Sequence, residues 1–218
     1  EYAGRMIEGQ TEIYYLLGGD PASIGASPHL DAFKSRGIEV LLMGDPFDGF
    51  MVQALPQYRD KPLRNVDDPG LVLPGQPQEV PDAETALPND EWAEVVARVK
   101  TVLGDRVTEV RESQLLTDHP ARLVSPNAGY EREMQRLRHL LEQDYQTPPK
   151  ILELNRRHPL MRNLASLIAE RPSDAVIDAA IELLFENLLL LEGLHPNPAA
   201  LAPRIQALLE QATRGSRD

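Results

Sequence analysis

The sequence contains no cysteine, and this absence excludes disulfide bonds and thiolate metal sites. Only 5% of the residues are aromatic although 42% are hydrophobic, which predicts a core built mainly from aliphatic side chains. A membrane-spanning helix needs about 18 or more largely uninterrupted apolar residues. The most apolar stretch is interrupted by Glu182, Glu186, Asn187 and Glu192, so we expect a soluble protein without a membrane partner. Without disulfides or an export signal, its expected location is the cytoplasm.

Positive charge is also scarce, because 22 Lys and Arg residues stand against 34 Asp and Glu residues. The formal net charge is therefore -12. Binding to the phosphates of nucleic acids or to anionic lipid requires a basic surface. We therefore expect no nucleic acid among the partners of this protein.

The residue patterns of common catalytic sites are missing as well. The sequence has no phosphate-binding glycine loop, no G-x-S-x-G motif and no H-x-x-x-H pair, so we predict neither a cofactor nor a metal for this chain. The enzymatic alternative is a hydrolase that uses Asp45 and Asp48, since both carboxylates follow a predicted strand. Two carboxylates three residues apart around a proline are more often part of a turn and a helix cap.

Residues 1–65 have the pattern of a small α/β unit. Apolar runs over 10–17 and 38–43 predict strands, and Ser27-Pro28 predicts the start of a short helix between them. A βαβ connection of this length makes the two strands parallel. A further short helix is predicted over 48–55.

Residues 66–90 are predicted to be a linker. Between Val66 and Glu91 there are seven acidic residues and five prolines, with no Lys or Arg. Such a composition buries too little apolar surface to offset the entropy of ordering the chain. We therefore place a domain boundary here and predict a second domain over 91–218.

The second domain is predicted to be α+β, because helical and extended patterns alternate in it without a repeated βαβ order. Its predicted elements are a helix that is capped by Asn89 or Asp90 and ends at Gly104, short antiparallel strands over 106–111 and 121–125, a helix over 130–143, an extended run over 151–154 and a helix over 159–170.

The chain ends in a predicted helical hairpin. One helix runs from 174 to 192 with Ser173 as its N-cap, and a second helix opens at Asn197-Pro198 after a turn at Gly193. The second half of the first helix is apolar nearly all round, so this helix must be covered on several sides. A second copy of the hairpin would complete a four-helix bundle, so we predict a homodimer; burial against the preceding domain is the alternative. The predicted dimer residues are aliphatic: Ile177, Ile181, Leu184, Leu188, Leu191, Leu201, Ile205 and Leu208.

Two further features of the helices leave questions open. In the helix over 130–143, one narrow apolar stripe is formed by Tyr130, Met134, Leu137 and Leu141. The stripe either packs on the neighbouring sheet or offers Tyr and Met side chains to partner proteins. In the last helix, Pro203 removes a backbone hydrogen bond and is expected to kink the helix.

Several segments of this sequence resemble the heat shock protein 90 family of chaperones. The segment R-M-I-E-G-Q-T-E-I-Y-Y-L (5–16), the segment S-P-H-L-D-A-F-K-S-R-G-I-E-V-L-L-M (27–43) and D-P-F-D (45–48) resemble the end of the middle domain of that family. The segments R-V-K-T-V-L-G-D-R-V-T-E-V-R (98–111), L-T-D-H-P-A (116–121) and I-L-E-L-N-R-R-H-P-L (151–160) resemble the C-terminal domain of its bacterial members.

The resemblance implies a fragment of an ATP-dependent, stress-response chaperone, with a four-helix-bundle dimer and unfolded or partly folded client proteins as partners. ATP and Mg are expected in the full-length parent, whose ATPase domain lies elsewhere, and this fragment is not expected to be an enzyme. A non-catalytic dimerisation scaffold is the alternative. The client-binding residues implied by position are Phe50, Gln53, Tyr130, Met134, Leu137 and Arg138, of which Arg138 stands where the family has an apolar residue.

Overall fold

The computed structural model describes residues 1–19, 21–45, 47–68, 70–75, 86–124 and 148–213. They form a mixed α and β architecture with two small sheets. The elements of the first unit are β1 (Ile13–Leu17), α1 (Pro21–Gly25), α2 (Asp31–Lys34), β2 (Leu41–Met43), α3 (Asp48–Ala54), β3 (Gln57–Tyr58) and β4 (Lys61–Asn65). The elements of the second unit are α4 (Asn89–Leu103), β5 (Val107–Glu112), β6 (Ala121–Val124), β7 (Lys150–Leu154), α5 (Pro159–Glu170), α6 (Ala175–Leu191) and α7 (Leu201–Thr213).

The first sheet has the strand order β2-β1-β4-β3. Strand β1 pairs with β2 in parallel, which confirms the predicted βαβ unit, and it also pairs with β4 in parallel. Strands β3 and β4 form an antiparallel pair that the sequence did not predict. The segment K-P-L-R-N of β4 is polar and contains Pro62, so its strand conformation depends on pairing with β1 rather than on local preference.

The core of the first unit lies between its sheet and its short helices. The rings of Tyr14 and Phe33 meet edge to face, with their centroids 5.0 Å apart. Val66 and Leu71, from the start of the predicted linker, are buried in the same core. Leu87, near the other end of that segment, is buried in the core of the second unit. Residues 76–85 lie outside the described residues, and the linker bounds stay a prediction.

The second sheet has the order β5-β7-β6, so the strand predicted from 151–154 is its centre. Strand β7 pairs with β5 in parallel and with β6 antiparallel. Strands β5 and β6 run in opposite directions as predicted, but they do not pair with each other. Their pairing through β7 joins segments that lie far apart in the sequence, and local patterns do not encode such a choice.

Helices α4, α5 and α6 cover one face of the second sheet. The predicted caps of two of them need correction. The side chain of Asp174, not Ser173, caps α6 by accepting a hydrogen bond of 3.0 Å from the Val176 N–H. Helix α4 follows Pro88 without a side-chain cap, because the side-chain oxygen (Oδ1) of Asn89 accepts a hydrogen bond from Arg156 instead.

Pro203 does not have the effect predicted for it. A 3₁₀ turn over Pro198–Ala200 precedes α7, and the α-helix starts only at Leu201. Pro203 is therefore in the first turn, where the backbone N–H groups have no acceptor within the helix. Proline replaces a donor that the helix does not use, so no kink is required.

A buried ionic cluster lies on the face of the second sheet that points away from the apolar core. Glu153 accepts hydrogen bonds from Arg122 at 2.7 Å, from Arg111 at 2.8 Å and from Ser113 at 3.0 Å. Arg111 and Arg122 are its direct cross-strand neighbours on the two flanking strands. Burial by itself raises the pKa of Glu153, but the charge of Arg122 and the hydrogen bonds outweigh it, so the pKa is lowered.

This cluster predicts a pH dependence of folding stability. Because the pKa of Glu153 is lower in the folded state than its ordinary value of 4.5, ionised Glu153 stabilises the fold above pH 4.5. That contribution is lost as the pH falls through the lowered folded-state pKa. We expect Glu153→Gln to show a shallower loss of stability on acidification than the unsubstituted chain. Urea unfolding over a series of acidic pH values measures this; parallel curves for the two proteins would contradict it.

Candidate functional site

An exposed apolar surface surrounds α3 in the first unit. We call it the α3 patch and define it by the exposed large apolar side chains on and directly after α3: Phe47, Phe50, Met51, Leu55 and Tyr58. Phe50 has 62% of its surface exposed. Helix α3 is held on its other side by Val52, which packs with Leu17 and Met43. The helix is therefore anchored by one face and presents apolar groups on the other.

The predicted client residues Phe50 and Gln53 are both exposed on α3. They are three residues apart, so they are neighbours on one side of the helix. The structure thus places Phe50, a member of the α3 patch, and Gln53 beside each other on the exposed side of α3. Tyr130, Met134, Leu137 and Arg138 lie outside the described residues, and their role stays a prediction.

Asp45 and Asp48, the residues of the hydrolase alternative, form the turn that starts α3. An oxygen of Asp48 accepts a hydrogen bond from the Asp45 N–H at 2.9 Å, and an oxygen of Asp45 accepts one from the Phe47 N–H at 2.8 Å. Reciprocal bonds of this kind are turn and cap chemistry. The geometry does not favour the hydrolase alternative.

A second apolar surface lies between α5, α6 and α7. It is a groove of about 350 Å³, which we call the hairpin groove. Its lining residues are Leu160 from α5, Ala180, Leu183, Leu184, Asn187 and Leu190 from α6, and Leu201, Ile205 and Leu208 from α7. The nearby Leu209 is also exposed.

The turn at Gly193 fixes how α6 and α7 form this groove. Gly193 has a φ angle of 68°, as predicted for a residue after a helix end. The Leu194 N–H donates to the Leu189 carbonyl at 2.9 Å, and the Gly193 N–H donates to the Leu190 carbonyl at 3.0 Å. These two bonds form a Schellman motif, which turns the chain sharply and sends α7 back along α6.

Ion pairs along one side of α6 hold its neighbours in place. Asp178, Glu182 and Glu186 are spaced four residues apart and therefore lie on one side of the helix. Asp178 pairs with Arg98 and Glu182 pairs with Arg106, both at the α4 side. Arg204 of α7 pairs with Glu186. These acidic groups are used within the chain, and none of the described residues that line the hairpin groove is charged.

The structure divides the predicted dimer residues into three groups. Leu184, Leu201, Ile205 and Leu208 line the hairpin groove. Leu191 instead lines a small cavity against Leu16 and Leu17 of the first unit. Ile177, Ile181 and Leu188 are buried in the core of the chain itself. Their burial removes these last three residues from the surface that a second copy could contact.

Buried polar contacts join the first unit to the second, and sequence reasoning missed them. The Asp31 carboxylate accepts hydrogen bonds from the backbone N–H groups of Thr117, Asp118 and His119 at 3.2, 3.0 and 2.9 Å. Its other oxygen lies 2.6 Å from Nδ1 of His119. Asp31 is itself buried in the folded chain. One carboxylate thus fixes a loop of the second unit against α2.

A second polar contact reaches the end of α6. His29 lies 3.1 Å from Asp67 and 3.3 Å from Glu192, and all three side chains are buried. This contact fixes the first unit, which carries the α3 patch, to the end of α6, which forms part of the hairpin groove. No sequence signal pointed to His29 or Asp31, because their partners are 38 to 163 residues away in the chain and histidines and aspartates are common in turns.

The Gly18-Gly19 turn packs closely against α1. The Gly18-Gly19 turn is the only glycine pair in the sequence, and a Cβ added at Gly18 would lie 2.1 Å from Ile24 Cγ1. Close packing against α1 therefore explains Gly18 without a phosphate ligand. In the part of the chain that the structure describes, no group of three or more acidic or histidine side chains could hold a metal ion. No helix among these residues is long and apolar enough to cross a membrane.

Comparison with known proteins gives a consistent set of matches. The family model described as "Hsp90 protein" matches residues 1–218. A chaperone protein HtpG of Chlorobaculum tepidum is 39% identical over 223 residues, which cover 98% of this chain and 34% of the relative. The HtpG of Oleidesulfovibrio alaskensis is 35% identical, with 98% and 34% covered, and that of Geobacter sulfurreducens is 37% identical, with 88% and 30% covered.

Proposed function

This chain belongs to the Hsp90 family of molecular chaperones, and from that premise we propose that it dimerises and binds unfolded or partly folded client proteins. The chain spans about a third of the length of the curated relatives it matches. The observation that carries the proposal is the presence of two exposed apolar surfaces, the α3 patch and the hairpin groove, on one acidic chain.

Dimerisation is proposed for the hairpin groove. Leu190, Ile205 and Leu209 expose large apolar areas beside or within it, and a continuous apolar surface of this kind is typical of a protein interface. The nearby charges are used in ion pairs within the chain, so the surface favours an apolar occupant. A second copy of the hairpin, related by a two-fold axis, supplies that occupant and completes a four-helix bundle.

Client binding is proposed for the α3 patch. Aromatic and Met side chains adapt to varied apolar partners, and unfolded proteins expose such segments without a fixed shape. Each contact is weak, but a dimer presents two patches on one particle, which raises the overall affinity for a long client chain. The helix over 130–143, with Tyr130, Met134, Leu137 and Arg138, is the proposed second contact on each copy.

ATP hydrolysis is proposed for a longer parent protein and not for these residues. ATP and Mg would act there, with the cytoplasm as the proposed location. The non-catalytic scaffold is the competing function, since it shares the dimer but has no affinity for unfolded chains. The two functions are separated by a measurement of client binding.

We expect Phe50→Glu to weaken the suppression of client aggregation several-fold. Phe50 is 62% exposed, so a charge there leaves the fold intact but places a carboxylate where an apolar segment would bind. Light scattering of a heat-unfolded reporter protein, with increasing amounts of each variant, measures the effect.

The matched control for this experiment is Val72→Glu. Val72 is an apolar residue with 84% of its surface exposed, and it lies outside the α3 patch. We expect this variant to suppress aggregation as well as the unsubstituted chain. Equal activity of the Phe50 and Val72 variants would count against the α3 patch, and no suppression by any of the proteins would favour the scaffold.

A further inference from the structure

Asn187 is a polar residue among the apolar side chains that line the hairpin groove. Among the described residues that line the groove, it is the only polar one. Its side chain is exposed and makes no hydrogen bond within the described part of the chain. Within these described residues the amide therefore has no structural task.

The neighbours of Asn187 are apolar on every side of the groove. Leu183 and Leu184 precede it by one helical turn on α6, and Leu190 follows it by nearly one turn. Ile205 and Leu208 line the facing wall on α7. An occupant that covers these leucines also covers Asn187, and an amide that is buried without a hydrogen-bond partner opposes association.

A two-fold axis offers a partner of matching chemistry. In a symmetric dimer the same patch of both copies meets, and residues near the axis meet their own counterparts. The carboxamide has both a donor NH₂ and an acceptor C=O, so two asparagines related by the axis can satisfy each other. A leucine at position 187 would pack equally well in several alignments of the two copies. An asparagine pair has its hydrogen bonds satisfied in only one alignment.

We propose that Asn187 determines the register and the stoichiometry of the dimer by pairing with its counterpart in the second copy. This inference rests on the proposed dimerisation through the hairpin groove. Asn187 lowers the affinity relative to an all-apolar groove and in return excludes shifted dimers and larger assemblies. The partner that the groove selects is one further copy of this chain in a single orientation.

The first test is Asn187→Asp, with Asn197→Asp as the matched control. Two carboxylates cannot pair across the axis, so we expect the dimer dissociation constant at neutral pH to rise at least about a hundredfold. Acidification through the carboxyl range, near about pH 4, should restore much of the affinity. Asn197 is exposed beyond the groove and makes no side-chain cap, so its variant should match the unsubstituted chain. Sedimentation over a concentration series measures the dimer dissociation constants of the unsubstituted chain and of the two variants.

The second test is Asn187→Leu, which keeps the fold because position 187 is exposed. We expect tighter association by about tenfold or more, together with assemblies larger than dimers in native mass spectrometry. If the unsubstituted chain is a dimer and both variants keep its dissociation constant and stoichiometry, the role of Asn187 is wrong while dimerisation stands. If the unsubstituted chain is a monomer at micromolar concentration, the proposed dimerisation is itself wrong.

Discussion

Replacing Ile205 by glutamate is expected to convert the proposed dimer into a folded monomer. Ile205 lines the hairpin groove, yet 43% of its surface is exposed in the single chain, so a charge there does not disturb the core. In the dimer the substitution occurs twice and buries two carboxylates without partners. An uncompensated buried charge costs about 3 to 5 kcal/mol, so the dimer dissociation constant should rise at least about a thousandfold.

Sedimentation velocity measures this change, and circular dichroism checks that the helices remain. The control is Ala207→Glu, which adds the same charge to α7 at an exposed position that does not line the groove. We expect the Ala207 variant to remain a dimer. An Ile205 variant that stays dimeric at low micromolar concentration would show that association uses another surface.

Leu188 illustrates why the choice of position matters. From sequence, a charge at Leu188 is an obvious way to split the dimer, because the residue lies in the middle of the most apolar helix. The structure buries Leu188 in the core of its own chain. A charge there would unfold the single chain first, so loss of the dimer would not reveal the interface.

Removal of the Asp31 carboxylate is expected to be the most destabilising single change at the contact between the two units. Asp31→Ala leaves the N–H groups of Thr117, Asp118 and His119 without their acceptor and removes the partner of the His119 ring. Breaking a buried set of charge-assisted hydrogen bonds costs about 3 to 5 kcal/mol. Urea unfolding followed by circular dichroism measures the loss.

Asp118→Ala is the matched control, because Asp118 lies in the same loop with an exposed side chain. Its expected effect is within about 0.5 kcal/mol. Asp31→Asn should fall between the two, since its carbonyl oxygen can still accept from the backbone N–H groups, while the charge is lost and its NH₂ faces Nδ1 of His119. A loss below about 1 kcal/mol for Asp31→Ala would mean that the loop finds other acceptors and that this carboxylate does not hold the units together.

Helices and their ends were the most predictable part of the fold. The period of apolar residues located α4, α5 and α6, and Gly193 marked the turn of the hairpin. These features follow from preferences that act within a few residues. The predicted caps were wrong, because Asp174 rather than Ser173 caps α6 and because the side-chain oxygen of Asn89 accepts a hydrogen bond from Arg156 instead of capping α4.

The candidate site was predictable only in part. Phe50 and Gln53 were named from the family resemblance, and the structure places both on the exposed side of α3. Phe47 and Tyr58 were not named, although they belong to the same α3 patch. Exposure of an aromatic residue depends on which elements cover it, and that information is spread over the whole chain.

The sequence by itself determined the positions of the long helices α4, α5 and α6, the acidic and cysteine-free character of the chain, and the excess of apolar residues in α6. The tertiary structure alone decided which side of α6 faces the core, with Ile177 and Leu188, and which side lines the groove, with Leu184 and Asn187. It also placed β7 between β5 and β6 and brought Asp31 to the loop at His119. The physical reason is that helix formation depends on neighbours within one or two turns, whereas burial and pairing depend on partners that only the folded chain brings together.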